Sequence, residues 1–323
     1  MNQRSPGTRP LPLLPSSVFG YALRTRSKHQ IALAALSISV FLLSTAPLDI
    51  QRRIVDETIN DREIWTIGAL ALAYGALALT EGLVKLTMNV YRAWVGECAI
   101  RDLRQTIHAA LHRRPDDADR YEAGVEASIV LSEVEPIGGL LGVIVSEPIL
   151  QGGLLLSVFI YMVILQPEIA LVCLAVFLPQ MVFLPTMQRA INRRVEDRIQ
   201  TLRDVSGGIA GAFADDDAEE ERQAERIRSV FELNMGIYRL KFSMNFLMNF
   251  MHHFGVAVVL GVGGWYAATG RVEIGTVVAF VSGLNKINDP WGDLVNWFRD
   301  ATVNGAKYRL VADAVRRSAE KMT

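Results

Sequence analysis

Apolar stretches and charged stretches alternate along the chain, and both kinds carry helical periodicity. Six of the apolar stretches have about the 20 residues that a helix needs to cross the hydrocarbon core of a bilayer. We expect these to be membrane spans, at residues 31–47, 64–84, 136–165, 169–187, 242–268 and 274–297. The pattern therefore predicts an all-α membrane protein with six transmembrane helices.

Two long charged stretches, 92–135 and 188–241, separate the apolar ones. In the second, Ile191, Val195 and Ile199 recur at helical spacing while arginines occupy the other faces, which is typical of an amphipathic helix. At roughly 1.5 Å per residue, an arm of about 20 to 25 residues is some 30 to 38 Å long. We expect the transmembrane helices to continue beyond the membrane as two pairs of helical arms.

Charge is segregated along the chain rather than in excess. The formal net charge of the 323 residues is −1, which argues against nucleic acid as a partner. Four of the 33 Lys and Arg residues fall in the predicted outer loops and two within spans, so the remaining 27 lie on the inner side. By the positive-inside rule both termini are cytoplasmic. The domain prediction is a basic, Pro-rich, mostly mobile tail (1–28), a membrane domain (29–303) and a second tail (304–323).

Short connections are expected on the outer side. The stretch 49–63 is predicted to be a loop, and 166–168 and 269–273 are predicted to be turns. Glycines at 138, 139, 142, 152 and 153 indicate close helix packing in the third span.

The sequence indicates neither a metal site nor a disulfide bond. Cys98 and Cys173 lie in separate helical stretches without metal-type spacing, and we expect both to be structural. His108 and His112 share a helical face but lack a third ligand at suitable spacing, so no metal site is predicted.

Ionisable residues inside the spans are candidates for a translocation pathway, because charges are costly in lipid and tend to line cavities or to pair. The candidates are Glu147, His252, His253, Lys286 and Asp289. Helix-to-helix contact or an interfacial position is the alternative for each. Glu81 and Lys85 are spaced to pair with each other on one helix.

Several local motifs fit this organisation in order and spacing. Pro115 follows the first arm and Gly124 comes nine residues later, while the second tip places a glycine, an aromatic residue and acids within 208–220. The sixth span reads Ile-Gly-Thr-Val-Val-Ala-Phe over 274–280 and is followed by Pro290. With six spans, two long inner loops and short outer turns, the chain resembles the transmembrane domain of an ABC exporter over about residues 20 to 315.

The resemblance implies a dimer, homomeric or heteromeric, that alternates between inward and outward access. Each arm tip would carry a coupling helix seated in a groove of an ABC ATP-binding subunit, and Pro290 would kink the sixth helix. The positions matching the coupling helices are Pro115, Asp116, Asp117, Asp119, Phe213, Asp215, Asp216 and Asp217. Both tips are acidic and the first lacks the aromatic pair usual in the family, so either a basic groove on the partner is expected or coupling is altered or lost.

ATP chemistry is not expected in this sequence. It contains no GxxxxGK[ST] phosphate loop, the motif whose backbone amides and lysine hold phosphates. No catalytic residue and no cofactor is therefore assigned to this chain, and ATP with Mg²⁺ is expected on a partner subunit.

The resulting hypothesis is the membrane-spanning subunit of an ABC-type exporter for an amphipathic or lipid-like solute, in a bacterial inner membrane. Two alternatives stay open: an ion-coupled secondary carrier in which Glu147, His252, Lys286 or Asp289 relays a proton, and a transport-inactive scaffold or regulator of an ABC transporter.

Overall fold

A computed structural model describes residues 14–59, 64–111, 134–211 and 217–320, and the regular structure in these ranges is entirely helical. The helices are α1 (Val18–Thr25), α2 (Ser27–Ile59), α3 (Ile64–Leu111), α4 (Val134–Val143), α5 (Ser146–Leu165), α6 (Pro167–Gly211), α7 (Asp217–Ala268) and α8 (Ile274–Glu320). The predicted all-α fold class is confirmed.

Five helices in the described ranges are long and apolar enough to cross a membrane: α2, α3, α5, α6 and α7. The eighth helix falls short, because Asn285, Lys286 and Asp289 follow its first three apolar turns. Five of the six predicted spans thus have a matching helix, and the sixth span stays a prediction.

Three of the helices that are apolar enough to cross a membrane are far longer than a membrane is thick. α3 has 48 residues, α6 has 45 and α7 has 52, which at 1.5 Å per residue is about 68 to 78 Å. The hydrocarbon core takes up only about 30 Å. The predicted arms are therefore helical as far as the structure describes them, and their tips at 112–133 and 212–216 lie outside the described residues.

The helices divide into two compact units, which are considered separately. The first comprises the residues up to Val158 together with those from Asp289 onwards, and the second comprises Phe159–Asn288. α5 and α8 each contribute to both units.

The core of the first unit draws on both ends of the chain. Val18 and Tyr21 of α1 are buried against α3, α4 and α8, and Tyr308 of α8 is fully buried beside Tyr21, with ring centroids 5.9 Å apart. The Tyr308 hydroxyl donates to the Pro15 carbonyl at 3.0 Å. Residues 14–26 and 304–315 are thus packed into the core, although the sequence predicted separate tails.

The prediction of an outer loop at 49–63 was wrong for residues 49–59, because α2 continues as far as Ile59. Asp49 accepts from Arg53 one turn later at 2.7 Å and pairs with Arg52 at 3.5 Å. Such i,i+3 and i,i+4 pairs support a helix, and no Gly or Pro occurs between Pro47 and Ile59 to end it.

The third span begins later than predicted. The helical run breaks at Ile144 and Val145 between α4 and α5, because Pro148 lacks an N–H and its ring would clash with the carbonyl of Ile144. Two buried side chains donate hydrogen bonds to backbone carbonyls at the end of α4. Gln30 donates to the Leu141 carbonyl at 2.9 Å, and the Ser146 hydroxyl donates to the Gly142 carbonyl at 3.4 Å. α5 alone, with 20 residues, has the length of a span.

Glycines bring α3 and α4 into backbone contact. A Cβ at Gly142 would lie 2.5 Å from the Arg92 carbonyl oxygen, and one at Gly96 would lie 2.9 Å from the Gly138 carbonyl oxygen. Gly153 is also closely packed, 2.3 Å from Phe41 by the same measure. Close packing was therefore correctly predicted for Gly138, Gly142 and Gly153, whereas Gly139 and Gly152 have nothing within 4 Å.

The second unit is built on the α6–α7 pair. Within their charged arms, Arg198 donates to Asn234 at 3.3 Å and Gln223 donates to the Val205 carbonyl at 2.7 Å. The predicted short turns are both present, since only Gln166 separates α5 from α6. At the second turn Gly270 has φ +69°, and its N–H bonds the Ala267 carbonyl at 3.0 Å, as is usual for glycine at a helix C-terminus.

We predict that Gly142→Ala destabilises the folded protein by about 1 to 3 kcal/mol, because the added methyl must push α3 away from α4. Gly139→Ala is the matched control, since the same methyl enters open space three residues away. Thermal or denaturant unfolding in detergent measures both. Equal effects of the two substitutions would show that the close approach is not what makes Gly142 sensitive.

We also predict an alkaline loss of stability through Tyr308. Burial, and secondly the nearby Tyr21, raise the pKa of Tyr308 above its ordinary value of 10.0. The neutral phenol is thus favoured by folding, and its contribution is complete below pH 10 and is lost as the pH rises above it. Unfolding measured between pH 8 and 11 should show a smaller alkaline loss for Tyr308→Phe than for the wild type.

Candidate functional site

A buried ion pair lies where α5 begins. The Arg92 guanidinium of α3 donates through Nη1 to Glu147 Oε2 at 2.7 Å, and the side chains are 10% and 18% exposed. The α4–α5 break puts Glu147 in the first turn of α5, where a carboxylate is favoured by the helix dipole. The same residue, Arg92, touches Gly142 through its backbone, so it contacts the chain on both sides of the break.

A buried amide extends this pair to a third helix. Gln151 Nε2 donates to Glu147 Oε1 at 2.7 Å and to Asp293 Oδ2 of α8 at 3.1 Å. Gln151 itself is buried, whereas Asp293 is exposed. We call Arg92, Glu147, Gln151 and Asp293 the polar network; it joins α3, α5 and α8 within the first unit.

Two further charges surround the exposed end of the polar network. Asp293 lies within electrostatic range of Glu147, Asp289 and Lys85. At the buried end, Nε and Nη2 of Arg92 have no acceptor among the described residues. The polar network therefore combines a buried cation that has unused donors with an exposed acidic surface.

The depth of the polar network follows from the span boundaries. Arg92 lies eight residues, about two helical turns, beyond the predicted inner end of the second span, and Glu147 is the second residue of α5, the helix that forms the third span. Asp293 is four residues before the predicted end of the sixth. All three elements therefore place the polar network at the predicted inner edge of the membrane.

The histidine candidates lie in the second unit. His252 and His253 are neighbours on α7 with ring centroids 5.4 Å apart. His252 lines a small cavity of about 20 Å³, together with Cys173 and Gln180 of α6. That volume is enough for about one water molecule, so the cavity is too small for an amphipathic solute in this conformation.

The structure brings two of the predicted pathway residues, Glu147 and Asp289, into one polar environment. Lys286 lies one turn before Asp289 on α8.

Pro290 lies inside α8, which continues through it, so a kink there remains a prediction. Of the predicted coupling positions, Asp217 begins α7, and the others lie outside the described residues. They are Pro115, Asp116, Asp117, Asp119, Phe213, Asp215 and Asp216.

Sequence reasoning missed Arg92, Gln151 and Asp293. A signal was available for Arg92, which falls at helical spacing between the fully buried Met88 and Val95 and therefore interrupts an apolar stripe. Gln151 and Asp293 each lie four residues after a candidate that was identified, Glu147 and Asp289 respectively. What the sequence does not show is that these two helix faces meet.

Metal ligation has no structural basis in the described ranges, where no group of three or more His, Cys, Asp or Glu side chains is placed to hold an ion. Cys98 and Cys173 are free thiols on different helices.

Comparison with known proteins agrees with this architecture. The family model of the ABC transporter transmembrane region matches residues 31–291. The chain belongs to this family. This ABC transporter chain is also similar to the ATP-dependent lipid A-core flippase of Desulfotalea psychrophila, with 24% identity over 273 residues. The match covers 80% of the chain and 47% of the relative, so the chain spans about half the length of that protein.

Membership of the family confirms the resemblance in the sequence and makes the chain an integral membrane protein with the ABC exporter transmembrane fold. In such a protein the helix ends next to the membrane are where side chains of both charges are best tolerated. The predicted span boundaries put the polar network in that zone, which makes it the strongest candidate among the described residues for contact with a transported solute.

We predict that Glu147→Ala lowers stability by about 3 to 5 kcal/mol, because it leaves the buried Arg92 charge without its partner. Glu135→Ala is the comparison, since Glu135 forms a 3.9 Å pair with Arg104 and both side chains are exposed, at 75% and 48%. Loss of that surface pair should cost less than about 1 kcal/mol. Unfolding in detergent measures both variants, and a small effect of Glu147→Ala would contradict the assignment of a buried, mutually dependent pair.

Proposed function

We propose that this ABC transporter chain is the membrane-spanning part of an ATP-driven exporter for an amphipathic or lipid-like solute. ATP is hydrolysed by an ATP-binding domain outside these 323 residues, on a partner subunit. The observation that carries the proposal is the α6–α7 arm pair, in which two apolar helices continue without a break into charged arms.

The arms suit a mechanical role because they are held to each other along their length. The Arg198–Asn234 and Gln223–Val205 hydrogen bonds lie 7 residues apart along α6 and 11 residues apart along α7. A Cβ at Gly236 would be 3.4 Å from the Arg194 side chain, so the helices also touch nearer the membrane. A pair of helices fixed at several levels moves as one body, which is how a displacement at the tip reaches the membrane.

A lipid-like solute is supported by the relative and by the polar network. The relative is a lipid A-core flippase. In the chain itself, the polar network combines charges of both signs, and the predicted span boundaries put it at the inner edge of the membrane, next to spans that offer apolar surface. We propose a bacterial inner membrane as the location, with both termini in the cytoplasm, as the distribution of Lys and Arg favours.

The second candidate is an ion-coupled carrier, which the polar network favours because Glu147 and Asp293 are linked through Gln151. Flux in proteoliposomes separates the two functions. Dependence on ATP and on the partner subunit supports the exporter, whereas dependence on a pH gradient without ATP supports the carrier. Stable association without any flux would indicate a scaffold.

We predict that charge reversal at the arm tip, Asp215, Asp216 and Asp217 to Lys, weakens association with the ATP-binding subunit and abolishes ATP-dependent flux. The expected cause is repulsion from the basic groove that the acidic tip is proposed to fit. Co-purification and vesicle flux measure the two effects.

The control is reversal of Asp197 and Asp204, which are exposed acids on the same arm but away from its tip. This double variant should associate and transport as the wild type does. Unchanged association of the tip variant, or equal loss in both variants, would refute a coupling role for the tip.

A further inference from the structure

The buried end of the polar network lacks acceptors for its donors. The Arg92 side chain is nine-tenths buried, Glu147 takes only Nη1, and neither Nε nor Nη2 meets an acceptor in the described part of the chain. A buried donor without an acceptor costs free energy that a hydrogen bond would recover. The Arg92 guanidinium can therefore donate hydrogen bonds to the oxygen atoms of an additional anion.

The exposed end of the polar network has the opposite character. Asp293 accepts a hydrogen bond from the neutral Gln151 amide, and Glu147 and Asp289 lie within its electrostatic range. Lys85 is the cation that acts on it from α3. A positive group next to Asp293 would gain from Asp293 and Asp289 and be opposed by Lys85, and it would also gain from Glu147 once Arg92 binds another anion.

We propose that the polar network binds the headgroup of a zwitterionic phospholipid-like solute, with its phosphate on Arg92 and its primary ammonium at Asp293. This inference rests on the proposed export function and names the solute class. A guanidinium binds phosphate oxygens through two parallel N–H donors, which matches the two unused nitrogens.

Charge balance decides between headgroup classes. A purely anionic headgroup would satisfy Arg92 but would add negative charge beside Glu147, Asp289 and Asp293. A purely cationic headgroup would leave the Arg92 donors unpaired. A zwitterion gives each of its charges an opposite partner, and desolvated charges are stable only when they are paired in this way.

In the absence of solute, the Glu147 carboxylate is paired with the Arg92 guanidinium. Nε and Nη2 are shielded from solvent in this conformation, so the phosphate reaches the guanidinium as the Glu147 carboxylate moves aside. Gln151 Nε2 already donates to Glu147 and can hold the displaced carboxylate. The depth of the polar network, at the predicted inner edge of the membrane, is the depth of the headgroups of the inner leaflet.

The test uses the full chain purified in an uncharged maltoside detergent and titrated with dihexanoyl-phosphatidylethanolamine and dihexanoyl-phosphatidylglycerol. The two lipids share acyl chains and phosphate and differ in the ammonium. Free phosphoethanolamine supplies the headgroup without the chains. Native mass spectrometry and tryptophan fluorescence measure binding, so neither ATP nor the partner subunit is needed.

Three variants separate the two halves of the site. Asp293→Asn should weaken ethanolamine lipid binding about tenfold, the loss expected for one charge-assisted contact, and leave glycerol lipid binding unchanged. Arg92→Lys keeps the charge facing Glu147 but deletes the unused donors, so it should weaken both lipids alike. Asp300→Asn is the matched control on α8, two turns further on and paired with Arg299, and should change neither.

The proposal is overturned if the wild type binds the glycerol lipid as tightly as the ethanolamine lipid, or if Asp293→Asn affects both lipids equally. Phosphoethanolamine binding as tightly as the lipid would likewise overturn the assignment to a membrane solute. If Arg92→Lys melts well below the wild type, the comparison of Asp293→Asn with Asp300→Asn decides alone. Failure here leaves the exporter function standing, because that function is tested by association and flux.

Discussion

The close approach of α3 to α4 is the constraint from which the candidate site follows. Gly142 and Gly96 let the two backbones touch, and this contact fixes which residues of α3 face the end of α4. The break forced by Pro148 then starts a new helix directly beside Arg92, so that Glu147 reaches the guanidinium. If either glycine carried a side chain, the helices would separate and the ion pair would lose its geometry.

In the polar network, the burial of each charged side chain matters more than the number of charges. Arg92 and Glu147 are largely buried and neutralise each other, which is the arrangement that makes a buried charge tolerable. Asp293 remains exposed and is tied to the pair only through a neutral amide. The polar network can therefore change its bonding at the exposed end without leaving a bare charge in the interior.

Helix existence, fold class and the short turns could be predicted from the sequence because they depend on local pattern. Apolar runs of span length, the arms and the Gly270 turn are all local signals. The loop predicted at 49–63 failed because polarity was taken as a sign of a loop, whereas Asp49, Arg52 and Arg53 pair along a helix. The late start of the third span depends on a single residue, Pro148, in the first turn of α5. Residues such as Gln151 and Asp293 could not be assigned, since their contact joins positions 142 residues apart and no periodicity reports it.

α8 gives the first unit a direct link between the candidate site and the packed chain ends. Asp293 and Tyr308 lie on the same continuous helix, 15 residues apart, which is about 22 Å along its axis. Tyr308 is fully buried against α1 and hydrogen-bonded to Pro15, while Asp293 is exposed and held by one hydrogen bond. α8 is also packed before Asp293, since Ala279 and Phe280 are fully buried. A change of bonding at Asp293 therefore acts on a helix that is packed on both sides of this residue.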